Sequence, residues 1–284
     1  MVLINGGQVA VDTIAASNAS LVEAFYPGQA GAAAIASVLF GDFNPCGKLD
    51  QTIYAKSFAT EVKWWDTRLR PHAESLGRTH MFYTGEPLYP FGHGLSYTEF
   101  DLQWAGSDSY SGGRQQEQEE ERGMEEEVVV APPTVTFSLD SAGFSDEFVK
   151  HSFKAKARNT GKLYGRESVL AYWVPQSPAN LLKQQLFNFS GHWLEPGATA
   201  TVVVQLPPPV ELASITEEGD RVIQPGTYTV RLSRGHGVEL NATVVLTGKP
   251  KLLRKWPRQW SEGSQMAMDW CVEQGLDVTP HTGA

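Results

Sequence analysis

The residues best placed to do chemistry in this sequence lie between Trp64 and Ser96. Asp66 follows Trp64 and Trp65, and the triplet has the composition of a sugar contact, because aromatic faces stack on pyranose rings while carboxylates bind hydroxyls. Paired tryptophans also anchor cores and domain interfaces, so a structural role competes directly. Glu86 precedes Pro87 in a Gly-rich run, where it could face a second domain or pair with Arg78. His93 sits between Gly92 and Gly94. No Ser or Cys nucleophile pattern accompanies it, so close backbone packing is a stronger reading than general-base work. Ser96 lacks the Gly-x-Ser-x-Gly elbow. Asp42, in a Gly-Asp-Phe-Asn-Pro turn, reads as a turn residue whose carboxylate bonds nearby backbone N–H groups. Gly28, Gly31 and the helix they open could hold an anion, but no GxGxxG or P-loop spacing is present.

Other chemistries are excluded more simply. Cys46 and Cys271 stand far apart with no CxxC or Cys/His spacing, so neither a zinc site nor a disulfide framework is expected, and no motif calls for a cofactor. The net charge of −9 does not signal a basic partner, because seven Glu and two Arg between Arg114 and Glu127 supply more than half of it. What remains argues against nucleic acid as a partner, because it lacks the clustered Lys and Arg that phosphates need. Three Asn-x-Ser/Thr triplets, at Asn18, Asn188 and Asn241, are glycan acceptors if the chain is exported. The N-terminus has no basic, then apolar, leader pattern, and no run of eighteen apolar residues predicts a membrane span.

The elements that must position these residues fall into two classes. Residues 1–104 alternate short apolar runs with small-residue stretches, which predicts α/β structure. Val2, Leu3 and Ile4 form one expected strand and residues 21–26 another, stopped by Pro27 and Gly28. A helix is expected over 29–40 from Ala30, Ala34, Ile35, Val38 and Leu39, with Gly41 as its left-handed C-terminal cap, and strand resumes over 48–54. So small an α/β sheet leaves parallel edges and a face uncovered, and reads as half a domain. Residues 105–132 are acidic and nearly devoid of apolar side chains, and read as a disordered linker or loop insertion, with an isolated charged helix as the alternative. From 133 to 248 the period becomes two, as in Phe153, Ala155 and Ala157, or Tyr228, Val230 and Leu232, with turns at Asn159-Thr160-Gly161, Pro196-Gly197 and Pro225-Gly226. This is an immunoglobulin-like β-sandwich with no bridging cysteines. A basic tail over 249–284 carries Trp256 and Trp260.

Three stretches, in this order, resemble family 3 glycoside hydrolases of the plant and fungal β-xylosidase/β-glucosidase type. They are Tyr26-Pro27-Gly28-Gln29-Ala30-Gly31 with Gly41-Asp42-Phe43-Asn44-Pro45; Gly77-Arg78-Thr79 through Pro87-Leu88-Tyr89-Pro90-Phe91-Gly92-His93-Gly94-Leu95-Ser96-Tyr97-Thr98; and Arg158-Asn159-Thr160-Gly161 with Gln185-Leu186-Phe187-Asn188-Phe189 and Pro196-Gly197. The resemblance implies the second half of that family's α/β sandwich domain followed by its fibronectin type III-like domain. Two departures stand out. His80-Met81 replaces an aromatic and a cation, which leaves the local interface geometry open. Asn188 stands where the family has Gly, and tolerates a positive φ if the position needs one.

Retaining glycoside hydrolysis needs two carboxyl groups about 5 Å apart, one attacking the anomeric carbon and one protonating the leaving oxygen. In the family resembled here, the nucleophile Asp lies on an N-terminal β/α barrel and the acid/base Glu precedes the strand matching Val2-Leu3-Ile4. No catalytic residue is therefore carried over to this chain. The resemblance implies the C-terminal portion of an exo-acting β-glycosidase, inactive alone, whose partners are the missing barrel and first half of the sandwich domain, and whose complete form works outside the cell or in the cell wall. The competing reading is a non-catalytic carbohydrate-binding or cell-wall adhesion module built on Trp64, Trp65, Trp256 and Trp260. A blander third reading is a structural sandwich that binds nothing.

Overall fold

A computed structural model describes residues 1–4, 7–63, 65–105, 130–177, 182–216 and 218–257. Trp64, Trp260, the body of the acidic stretch and most of the basic tail lie outside them. The first unit opens on β1 (Val2–Leu3), α1 (Asp12–Ala16), β2 (Val22–Glu23) and α2 (Gly31–Phe40), followed by the single turns α3 (Phe58–Glu61) and α4 (Thr79–Phe82). β1 and β2 pair in parallel, Val2 opposite Val22. The second expected strand contracts to two residues, because Phe25 turns the chain with φ +49 just before Pro27. α2 ends as expected: Gly41 takes φ +83 and its N–H caps the Val38 carbonyl. The strand expected over 48–54 does not form. That segment makes backbone hydrogen bonds to the Gly-rich run at Leu49, bonded to Gly92 and His93, and at Ile53, bonded to Tyr89. Pro87 and Pro90 on the facing run lack the N–H donors a continuous ladder requires.

The second unit is a two-sheet sandwich. Its strands are β3 (Phe100–Trp104), β4 (Thr134–Ser138), β5 (Ser152–Asn159), β6 (Gly165–Pro175), β7 (Gln185–Leu194), β8 (Thr199–Gln205), β9 (Ser214–Ile215), β10 (Arg221–Ile223), β11 (Gly226–Ser233), β12 (Leu240–Thr247) and β13 (Lys251–Arg254), with α5 (Phe144–Lys150) and α6 (Pro209–Leu212) between them. One sheet runs β4-β12-β11-β6-β7 and the other β3-β5-β8, while β13-β10-β9 forms a small third sheet. Pairing moves residues that the sequence assigns to the first unit and to the tail into this one: Phe100 to Trp104 face Asn159 to Ala155, and Lys251 faces Ile223.

The core lies where the period-two residues meet. Val169, Ala171 and Trp173 of β6, Tyr228, Val230 and Leu232 of β11, and Val202 and Val204 of β8 are all buried, with Phe144 and Phe148 of α5 closing one end. Trp173 stacks on Tyr228 at 4.5 Å between ring centroids and meets Phe148 edge-on. Each Val, Leu or Phe among them contributes roughly 1.5–3 kcal/mol relative to exposure. The first half of the first unit has little of this: among described residues 1–50, only Val11 and Gly31 are buried, while its second half gathers Ile53, Tyr54, Val62 and Tyr83. Stability of the first fifty residues must come from elsewhere.

Part of it comes from docking on the sandwich. β6 is buried on both faces, because Leu170 and Tyr172 pack under the Gly-rich run. Gly92, at φ +83, has no room for a Cβ, which would lie 2.5 Å from Leu170 Cδ1. A Cβ on Gly235, at φ +81, would strike the Gly92 carbonyl. The two backbones therefore touch only because both residues are glycine. No helix among the described residues is long and apolar enough to cross a membrane.

Candidate functional site

The carboxylate of Asp66 is already occupied. Its Oδ1 accepts from Arg68 Nε at 2.9 Å and from the Arg68 N–H at 3.1 Å, and its Oδ2 accepts from Arg68 Nη2 at 3.0 Å and lies 2.8 Å from His72 Nε2. The Arg68 hydrogen bonds hold this carboxyl well below the usual carboxylate range. Asp66 thus folds the loop ahead of Arg78, and Trp65 beside it is 62% exposed. Trp64, the third member, lies outside the described residues.

Arg78 does not pair with Glu86. Its Nη2 donates to the carbonyls of Lys63 and Asp66, and the guanidinium sits 5.8 Å from the Phe58 ring centre. Glu86 is exposed, and its charge favours the protonated form of Lys183, which burial opposes more strongly. The side chain that organises the turn after α2 is Asn44 rather than Asp42. Asn44 Oδ1 accepts from the Tyr97 N–H at 2.8 Å and from Ser96 Oγ at 3.0 Å, while Asp42 stays exposed. His93 spends its carbonyl on Leu49 N and its ring tilts against Tyr89, as close packing requires.

The three acceptor asparagines differ. Asn18 and Asn241 are exposed, whereas Asn188 is half-buried on β7 with its Nδ2 3.4 Å from the Gln205 carbonyl. Asn188 does not take a positive φ. The β6–β7 register instead slips there, from Ala171 opposite Asn188 to Tyr172 opposite Leu186, so Phe187 is the extra residue of a bulge.

Two constellations escape a search for chemistry because they lie between the units. Glu167, 2% exposed, places Oε1 3.1 Å from Lys48 Nζ and accepts from Arg234 Nε at 2.9 Å. Arg234 also donates to the Phe100 carbonyl, and Lys48 to that of Gly94. One carboxylate therefore ties the first unit, β6 and the end of β11 together. Nearby, His80 stacks on Phe91 at 4.1 Å with Tyr172 edge-on, filling the place where the departure from the family pattern left the interface open.

Burial holds His80, His93 and His236 below the ordinary imidazole value, with the Lys48 charge adding to the effect at the last two. A histidine depressed in the folded state binds its proton more readily when unfolded. Its contribution is whole above the unfolded value of about 6.5 and is lost as pH falls below it. Urea midpoints should therefore drop between pH 7.5 and pH 5, and less so for His80→Phe. An identical drop in that variant would show that His80 takes no part.

Asp66 and Glu86 are not brought together as a pair, and no cluster of His, Cys, Asp and Glu among the described residues could hold a metal. Comparison with known proteins gives the context. Residues 1–97 match the glycosyl hydrolase family 3 C-terminal domain, and residues 167–235 match the fibronectin type III-like domain. The chain is 33% identical over 271 residues to the exo-1,4-beta-xylosidase xlnD of Aspergillus oryzae and 32% identical over 265 residues to that of Aspergillus niger, covering 90% and 89% of itself but 31% and 30% of them. It spans about a third of the length of these curated relatives. Among solved structures, a family 3 exo-beta-xylosidase bound to a xylobiose aziridine probe superposes with TM-score 0.73 at 26% identity, over 92% of this chain and 32% of that one. Beta-glucosidase 3B of Thermotoga neapolitana superposes with TM-score 0.63 at 22% identity, over 89% and 32%, a likeness of fold.

Proposed function

We propose, for a chain homologous to the C-terminal region of family 3 exo-β-xylosidases, that it is the C-terminal portion of a retaining, exo-acting β-glycosidase that removes xylose-type sugars from plant oligosaccharides and polysaccharides. The observation that carries this is the 33% identity to an exo-1,4-beta-xylosidase over 271 residues, which runs through both units and the junction between them. The chemistry must then be completed by polypeptide beyond these residues. A nucleophile and an acid/base have to stand about 5 Å apart. Here Asp66 is committed to Arg68 and His72, and Glu86 lies on the surface.

The same reading makes the whole protein an extracellular or cell-wall glycoprotein of xylan breakdown, with Asn18 and Asn241 as the accessible glycan acceptors. The test is direct. Residues 1–284 alone should not turn over aryl β-xylosides or β-glucosides. Fusing the upstream two-thirds of the A. oryzae relative to residue 1 should produce turnover of the xyloside. Activity in the isolated chain, or a folded but inert fusion, would sink the reading.

A further inference from the structure

A cleft of about 550 Å³ lies between the two units, within the size range of small-ligand sites. One wall is Arg70 with Met81 and Phe82 of α4, and the other is β9 with the starts of β10 and β11. Two hydrogen bonds join the units here, from Arg70 Nη2 to the Ile215 carbonyl at 3.0 Å and from the Lys183 N–H to the Met81 carbonyl at 2.7 Å. Tyr228, which is buried, forms the floor, with its ring stacked on Trp173 and its hydroxyl donating to the Gln224 carbonyl. Ser177, Thr216, Gln224 and Thr227 bring hydroxyl and amide groups to the lining. Arg70 and Arg221 bring two guanidinium groups against the single carboxylate of Glu211. Each arginine spends one N–H on a carbonyl, Arg70 on that of Ile215 and Arg221 on that of Val210, and neither has a carboxylate partner among the described residues. Arg254, directly opposite Arg221 in the β10–β13 ladder, has none among them either. Like charges placed so repel each other, and an anion held by their forks removes that cost.

An aromatic ring stands beside this cleft. Trp256 lies over Gly219, where a Cβ would come within 2.7 Å of its Cγ, and the residue is 60% exposed. Its N–H donates to Asp220 Oδ1 at 2.7 Å, and the Gly219 N–H donates to the Thr216 carbonyl, so the ring is seated on the turn whose first residue lines the cleft. The geometry points to this cleft as a binding site for an oligosaccharide that carries a uronic acid. The carboxylate is held by the guanidinium groups of Arg70 and Arg221, as planar forks hold carboxylates. The sugar hydroxyls bond to Thr216, Gln224 and Thr227, and a neighbouring ring stacks on Trp256. A neutral sugar would leave the two cations uncompensated, which is why the charge, and not the cleft's size, selects the ligand. Every group involved belongs to this chain. Only the choice of a xylose backbone for the probe rests on the glycosidase reading.

The experiment titrates residues 1–284 by calorimetry with xylotriose carrying one glucuronic acid, and with xylotetraose as the neutral probe. Arg70→Gln and Trp256→Ala alter exposed side chains, and melting temperatures show whether the fold is kept. Trp65→Ala, an exposed aromatic outside the cleft, is the control. The expected result is saturable binding of the acidic probe, tenfold or more tighter than the neutral one. Arg70→Gln should weaken it tenfold or more, Trp256→Ala by less, and Trp65→Ala not at all. Where a substitution lowers the melting temperature, amide chemical-shift changes in the unaltered chain decide, and these must fall on residues 214–216 and 224–228. No binding, equal binding of the two probes, or shift changes elsewhere would overturn the assignment. The fusion's turnover is scored separately. An active fusion with a cleft that binds nothing fails this inference alone, and an inert fusion with a cleft that binds fails only the glycosidase reading.

Discussion

Replacing Glu167 with Ala should lower the stability of the chain by about 3–5 kcal/mol, the usual result of removing one member of a buried ion pair. The cause is what remains rather than what is lost. Lys48 and Arg234, each about one-tenth exposed, would be left as two cations without their shared anion. Glu167→Gln keeps the shape and one acceptor, and should fall between. The effect should change little between low salt and 0.5 M salt, since screening acts weakly on buried charges. Urea titration with an unchanged m-value checks it. A loss under about 1 kcal/mol would show that water already solvates the cluster.

The second large effect belongs to Asn159, which is completely buried at the end of β5. Its Nδ2 donates to the carbonyls of Leu163 and Leu194 at 2.8 and 3.0 Å, and its Oδ1 accepts from Thr98 Oγ1 at 3.0 Å and from the Gly161 N–H at 3.1 Å. All four hydrogen-bonding positions are used. Asn159→Ala should cost about 3 kcal/mol, because carbonyls and a hydroxyl lose their partner where water cannot replace it. Asn159→Asp should be no better, since it aims a carboxylate at two carbonyl oxygens. A melting temperature within two or three degrees of the unaltered chain in either variant would refute this account.

What the sequence made legible follows from how local each signal is. The strands of the sandwich announce themselves because their pattern of two is written in adjacent residues, and Gly41 announces the end of α2 in the same way. β3 gives no such notice of its allegiance: its partner β5 begins nearly fifty residues after it ends, so nothing near Phe100 says which unit it serves. The strand expected over 48–54 failed because its apolar residues meet a proline-bearing neighbour rather than another strand. Glu167 is legible from its phase. It stands in phase with Val169, Ala171 and Trp173, the core positions of β6, and a charge in that phase must find opposite charges. Asp66 drew notice for the tryptophans before it, while the residues that determine its role, Arg68 and His72, come after it.

The placement of β3 also bears on what it would take to divide this molecule. The peptide leaving Trp104 is already hydrogen-bonded into one wall of the sandwich, and the peptide arriving at Thr134 is bonded into the other. A protease that severed the acidic connection would therefore release nothing. The nicked halves would remain one particle in solution, parting only when the sandwich itself melts.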